Sequence, residues 1–389
     1  MKVKIIFSVL ITMLSWASLG RNGRMSAINP VDEPTSGITQ GQIPEVTLKA
    51  LQSAKSFHVS ATQSFSKAPD LKLPLEEIAG KYFVHAGATV AEQSKPSDAI
   101  IRITCIGKPS GANYKGQFLY TGGTLSGTIS MELPGVAPII RNFKDESEPY
   151  PVMRMDFAYK YIQPSAFTFA SGIREYNRQI ALLVGELFGA KGLAQAISDP
   201  DLNIKTAAID ALGKLKDPSS VDVLIEALGD TEALSVAVIA LGEIGDPRAV
   251  EPLLIILGVA LDPRRATSND SHIKTVEDLG NFVAQFPKWN AIQALGKIGD
   301  PRAVDPLIVL LRDTQFAIRW RSAEALGRIR DRKAVSPLIA ALDDPEKLVR
   351  EHALKALEHI SGKSFGRKGK KWQEWWEHEG SIKTPPPLS

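Results

Sequence analysis

The octapeptide Ala294-Leu295-Gly296-Lys297-Ile298-Gly299-Asp300-Pro301 recurs, with small changes, along the second half of the chain. Ala211-Leu212-Gly213-Lys214-Leu215-Lys216-Asp217-Pro218, Ala240-Leu241-Gly242-Glu243-Ile244-Gly245-Asp246-Pro247 and Ala325-Leu326-Gly327-Arg328-Ile329-Arg330-Asp331-Arg332 are its near copies, and Ala356-Leu357-Glu358-His359-Ile360-Ser361-Gly362 ends the series. The leucine anchors Leu212, Leu241, Leu295, Leu326 and Leu357 are spaced by 29, 54, 31 and 31 residues, so one repeat holds an insertion. A period of this length belongs to stacked supersecondary units, none of which can bury its apolar stripe alone.

Each unit reads as two helices. Helix A runs through segments such as Ala303 to Leu311, and helix B is expected to begin after Asp199, Asp230, Asp313 and Asp344. Aspartate suits an N-cap because its carboxylate accepts a free first-turn N–H, and Pro200 and Pro345 suit a first helical position. Pro252, Pro306 and Pro337 must lie in the first turn of helix A or mark a kink, since proline lacks the N–H of a helix interior. On helix B one column reads Ala208, Ala237, Ala291, Ser322, Ala353 and the next Ile209, Val238, Ile292, Ala323, Leu354. With the Ala-Leu columns they form an i, i+3, i+4 stripe whose small residues let neighbouring helices approach. Five pairs follow, at about 186–215, 219–243, 248–298, 302–329 and 333–360.

These segments resemble the HEAT repeat class, specifically the short bacterial variety called PBS-lyase HEAT-like repeats, over Glu186 to Ile360. The resemblance implies an all-α solenoid, with the B helices lining its concave surface and another protein as its partner. Bilin-lyase chemistry, which the family name carries, maps onto no residues here. A HEAT-like class that binds iron uses paired His-Glu steps; His378-Glu379 is the only such step and lies in the tail.

The rest of the chain has a different texture. Residues 1–20 read as an export signal: Lys2 and Lys4 precede the apolar run Ile5 to Leu14, and small residues offer cleavage after Ala17 or Gly20. That run is short of the about 20 residues a membrane span needs, and no later segment is read as a span, so a membrane is expected only if the signal stays uncleaved. Residues 21–44 read as a linker. From 45 to 170 short alternating segments broken by Gly and Pro suggest a mostly-β domain, a sandwich or small barrel. Ser56 to Phe65, Ile101 to Cys105, Gln117 to Tyr120, Leu125 to Leu133 and Val152 to Ile162 are its expected strands, with a hairpin turn at Thr121-Gly122-Gly123-Thr124 and an ordinary turn over Gly107 to Gly116. The all-α HEAT-like solenoid then occupies 172–362, with an insertion at 259–287. A tail at 363–389 carries Trp372, Trp375 and Trp376, whose spacing faces them one way as a cap on the last repeat.

Composition narrows the function. A net charge of +3 gives no global field for nucleic acid, and Lys368, Lys370 and Lys371 read as solvated tail. Cys105, the single cysteine, excludes an internal disulfide and a multi-cysteine zinc site. No HExxH, GxSxG or Walker pattern is present, so no catalytic, metal or cofactor residue is assigned. The outward columns of helix B are the place to look for binding. They hold Ala207/Asp210, Val236/Ile239, Asn290/Gln293, Arg321/Glu324 and His352/Lys355, and Val236 with Ile239 breaks the polar trend. The insertion is expected to cover those two or to hold a partner with them. Trp289 and Trp320 share one column, with Lys288, Arg319 and Arg350 in the column before it. Val236, Ile239, Trp289, Arg319, Trp320 and Arg321 are therefore the candidate binding residues. Against this stands packing of the tryptophans between repeats, with the cations paired to Asp313 and Asp344 in an internal ladder. The chain is read as an exported, non-enzymatic interaction scaffold. The alternative is an enzyme or ligand-binding module in the β domain, with the solenoid as its support.

Overall fold

A computed structural model describes residues 45–66, 70–92, 96–114, 117–135, 138–146, 170–258 and 286–380. The signal and linker (1–44), the strand expected at Val152–Ile162, nearly all of the 259–287 insertion and the last residues of the tail lie outside these described residues. Helix α1 (Glu45–Ser53), with an i, i+4 ion pair between Lys49 and Glu45, belongs to a first unit that ends at Ser53. Everything from Ala54 onward forms a second compact unit.

That second unit opens with a mixed sheet. Strands β1 (Ser56–Phe65), β2 (Thr89–Val90), β3 (Ala99–Tyr114), β4 (Gln117–Glu132) and β5 (Ile139–Glu146) lie in the order β2-β1-β3-β4-β5. β1 runs parallel to both β2 and β3, whereas β3, β4 and β5 form an antiparallel meander. The period-two pattern works as read: Phe57, Ile101, Ile103, Cys105, Leu125 and Ile129 are buried, while Arg102 and Thr104 face solvent beside Glu132 and Thr128. Each fully buried Phe or Ile contributes roughly 1.5–3 kcal/mol. Burial also pushes the Cys105 thiol up to about 11, which leaves it an inert packing residue.

Among the described residues the sheet is single and open rather than a sandwich or a barrel. Alternation shows that one face is covered, not what covers it, and here the second layer is helical. Helix α2 (Leu75–His85) crosses between β1 and β2, and helix α3 (Ala170–Ala194) packs on β4, β5 and α2. Two turns also differ from expectation. Thr121–Thr124 lies inside β4, where Gly122 pairs with Ser110, Gly111 pairs with Tyr120, and Thr121 is the extra residue of a bulge. Gly107 to Tyr114 is strand, and Tyr114 pairs with Gln117 at the end of the β3–β4 ladder. Glycine inside a strand marks bulges as readily as turns.

α3 is where sheet and array meet. Tyr176 meets Phe143 edge-on at 5.4 Å and donates its hydroxyl to the Leu75 carbonyl at 2.7 Å. Phe188 packs edge-on against Phe57 and Phe83, and Arg141 of β5 pairs with Glu186 at 2.5 Å. The helix Ser171–Ser198 is long and apolar enough to pass for a membrane span, contrary to the sequence reading, but most of its apolar window is buried in this core. Gly189, at φ 67°, breaks it.

The helical pairs then follow. α4 (Leu202–Leu215), α6 (Leu234–Ile244), α8 (Phe286–Ile298), α10 (Phe316–Ile329) and α12 (Lys347–Ser361) are the B helices. α5 (Val221–Ala227), α7 (Val250–Leu257), α9 (Val304–Leu310) and α11 (Val335–Ala340) are A helices, and residues 190–198 after the Gly189 break supply the first. The part of α3 before that break stacks on α4 as an additional B-type helix, which the repeat count from sequence did not include. α5, α7, α9 and α11 each open with a short 3₁₀ turn. Asp217, Asp246, Asp300 and Asp331 cap these turns by accepting the N–H two residues on. Pro252, Pro306 and Pro337 are the third residues of α7, α9 and α11, in the first turn. The last described α-helix, α13 (Gly369–Trp375), packs on α11 with Trp372 wholly buried and Phe365 edge-on to it at 4.8 Å.

Successive B helices touch backbone to backbone. A Cβ placed on Gly213, Gly242, Gly296 or Gly327 would sit within 2.9 Å of the Cα and Cβ of Ala240, Ala294, Ala325 or Ala356, respectively. We expect Gly296→Ala to destabilise the chain by about 1–3 kcal/mol, because backbone must shift to admit the methyl. Lys216 and Arg330 end their helices at φ 52° and 61°, where the equivalent Gly245 and Gly299 are free of Cβ strain. Lys216→Gly and Arg330→Gly should each stabilise by about 0.5–1 kcal/mol. Urea unfolding midpoints of the full chain check all three; a neutral Gly296→Ala would refute the close contact.

Candidate functional site

The aspartates expected to cap helix B do something else. α4 is capped by Asp201, and α6, α10 and α12 start three or four residues beyond Asp230, Asp313 and Asp344. Pro200 and Pro345 accordingly precede their helices. Each of these aspartates instead accepts the N–H two residues on, at 2.7–2.9 Å, holding the turn between A and B. Three of the four also take a basic side chain from a neighbouring element. Lys205 binds Asp230 at 2.5 Å, Arg319 binds Asp344 through Nε and Nη2 at 2.7 and 3.0 Å, and His85 of α2 meets Asp199 at 2.8 Å. Hydrogen bonding from Lys205 holds the Asp230 carboxyl below its usual range. Arg319 and Arg350 also donate to the carbonyls of Asp313 and Asp344. This is an internal ladder, and Arg319, with only 12% of its side chain exposed, is one of its rungs. It also lines a cleft of about 360 Å³ with Ile308, Arg312, Pro337 and Asp344.

The other candidates stand on a different face. Val236, Asn290, Arg321 and His352 occupy one column on four successive B helices: α6, α8, α10 and α12. Val236 and Ile239 are half-buried on α6; the insertion proposed to cover them lies outside the described residues. Trp289 of α8 and Trp320 of α10 bracket the guanidinium of Arg321, whose Cζ lies 4.6 and 4.1 Å from their ring centres. His352 stacks on Trp320 at 4.7 Å, tilted by 38°. The result is a continuous row, Trp289–Arg321–Trp320–His352, across three repeats. Each cation–π contact is worth about 0.5–2 kcal/mol in such partly desolvated positions. Desolvation pushes Arg321 down to about 10, and Glu324 opposes this.

The structure thus unites Trp289, Trp320 and Arg321, sets Arg319 apart on the ladder, and adds His352 and Asn290, whose column position was visible in the sequence. In the β region Arg102 pairs with Glu132, and no group of three His, Cys, Asp or Glu residues fit for a metal occurs among the described residues.

An array of paired helices with stacked B helices is an α-solenoid. Residues 190–270 and 287–358 match the family model for HEAT repeats, so this part of the chain carries repeats of the kind its octapeptide resembles. No curated protein matches the sequence. Among solved structures it is similar to the complex of CpcE and CpcF of phycocyanin lyase from Nostoc sp. PCC7120, at 18% identity over 56% of this chain and 82% of that one, TM-score 0.34. It is also similar to a designed armadillo repeat protein, at 16% identity over 51% and 95%, TM-score 0.33. A third similar structure is an engineered protein, at 20% identity over 51% and 93%, TM-score 0.31. At these TM-scores the likenesses carry no argument about function.

Burial lowers the pKa of His352 below its ordinary 6.5, against the nearby Glu324. A folded pKa below the unfolded one means the unfolded chain binds more protons between the two values, so stability rises with pH there. The contribution is complete above about pH 6.5 and is lost as pH falls through the folded value. His352→Gln should therefore gain on the wild type when thermal unfolding is followed from about pH 7.5 down to about pH 5.5. Parallel curves for the two would mean that His352 titrates as an exposed imidazole does.

Proposed function

We propose that the chain is an exported, non-enzymatic scaffold that binds another protein on the outward face of α6, α8, α10 and α12. HEAT repeats typically mediate protein binding. The single observation behind this placement is the Arg321 guanidinium held between Trp289 and Trp320 on that face. Tryptophan and arginine are the residues that dominate interface energetics, because they combine large contact area with directed hydrogen bonding. Val236 and Ile239 extend the same surface by one helix with apolar area that a partner would cover. Residues 1–20 would direct export, with the mature chain beginning after Ala17 or Gly20 and working in the periplasm or outside the cell.

Trp320→Ala separates anchoring from packing. An anchor predicts loss of a co-purifying partner while the melting temperature stays within about 5 °C of wild type, since a half-buried surface substitution costs little. Retained partner capture, or collapse of the fold, would remove Trp320 from the interface. N-terminal sequencing of the chain from cell fractions tests export: Met1 at the start of a cytosolic product would contradict it.

A further inference from the structure

We infer that Arg321 receives a carboxylate from an acidic segment of the partner protein, an inference that rests on the scaffold reading above. Arginine carries five N–H donors in a planar fork that matches a carboxylate two-to-two. Two arginines of α10 show the contrast. Arg319 has its fork filled: Asp344 takes Nε and Nη2, and two backbone carbonyls take Nη1. Arg321 donates a single hydrogen bond, from Nη1 to the carbonyl of Ala317 at 3.0 Å, and forms no ion pair among the described residues. Its one nearby carboxylate, Glu324, is bonded to Arg328 at 2.9 Å. The tryptophan faces fix the plane of the guanidinium but satisfy none of its N–H groups.

A second donor points the same way. Asn290 occupies the position of Arg321 one repeat earlier; it is 6% exposed, and its Nδ2 has no acceptor among the described residues. Two unfilled donors in neighbouring places of one column call for an acceptor from outside, and the unbalanced positive charge calls for an anion. Lys355, exposed on α12 in the column of Glu324, also forms no ion pair among the described residues. Unpaired cations on adjacent helices favour an acidic stretch over a lone carboxylate.

The test uses the full chain and a fluorescein-labelled hexaglutamate peptide with an amidated C-terminus, beside its hexaglutamine counterpart, read by anisotropy at low and moderate salt. We expect the glutamate peptide to bind and the glutamine peptide not to. Arg321→Gln should weaken binding at least about tenfold, Arg321→Lys should fall between, and the exposed Arg248→Gln should leave it unchanged. Phosphate should compete no better than chloride at equal ionic strength. Circular dichroism reports whether each variant folds; should Arg321→Gln fail to, the comparison of the two peptides on the wild type still decides. Equal binding of both peptides, or displacement specific to phosphate, would overturn the carboxylate while leaving the scaffold intact. So would binding of neither peptide by a wild-type chain that still captures its protein partner.

Discussion

The closest constraint in the array is the contact of a glycine on one B helix with an alanine on the next. Gly213 meets Ala240, Gly242 meets Ala294, Gly296 meets Ala325 and Gly327 meets Ala356, each at a separation that leaves no room for a methyl group. Helix axes this close bring side chains flanking the contact into register with those one repeat away. The Asp–cation ladder on one side and the Trp–Arg–Trp–His row on the other both depend on that register: each joins atoms from neighbouring repeats across 2.5–4.7 Å. Small residues in the stripe thus do more than allow packing. They set the pitch at which the binding columns are read.

A second constraint ties the array to the sheet. α3 offers Tyr176 and Phe188 to the sheet core, and its earlier part serves as the B-type helix on which α4 stacks. Tyr82 of α2 reaches into the first repeat as well, donating to the Ile204 carbonyl at 3.2 Å. Solenoids need their first repeat covered, since nearest-neighbour contacts are their main source of stability. Here the sheet and α2 provide that cover, while α13 with its buried Trp372 lies against the last A helix. Sheet and array belong to one compact unit that begins at Ala54.

Much of this was legible because it repeats. The Ala-Leu-Gly columns identify the B helices, and period-two alternation located β1 at Ser56–Phe65. Features that occur once were harder to read. α3 stacks as a B helix without an Asp-Pro step to announce its end, since Gly189 alone makes the break. The glycines at 122 and 123 carry the same local signal in a bulge as in a turn, and only pairing with β3 distinguishes them. The candidate site was half legible. Trp289, Trp320 and Arg321 could be placed near one another by spacing, but whether Arg319 would anchor a partner or pair with Asp344 in the ladder depended on a rotation of α10 that spacing leaves open.

That rotation explains why the face of α10 carries an unfilled charge. The position of Arg319 holds a cation in four of the five repeats, Lys205, Lys288, Arg319 and Arg350, with Leu234 in the second, and Lys205 and Arg319 pair with ladder aspartates. The position of Arg321 follows no such rule: it reads Ala207, Val236, Asn290, Arg321 and His352. Array stability therefore does not require an arginine there, and a neutral residue would spare the cost of desolvating the guanidinium. A charge retained at a cost to stability, fixed by two tryptophans and left with most of its donors open, is better explained by a ligand than by the fold.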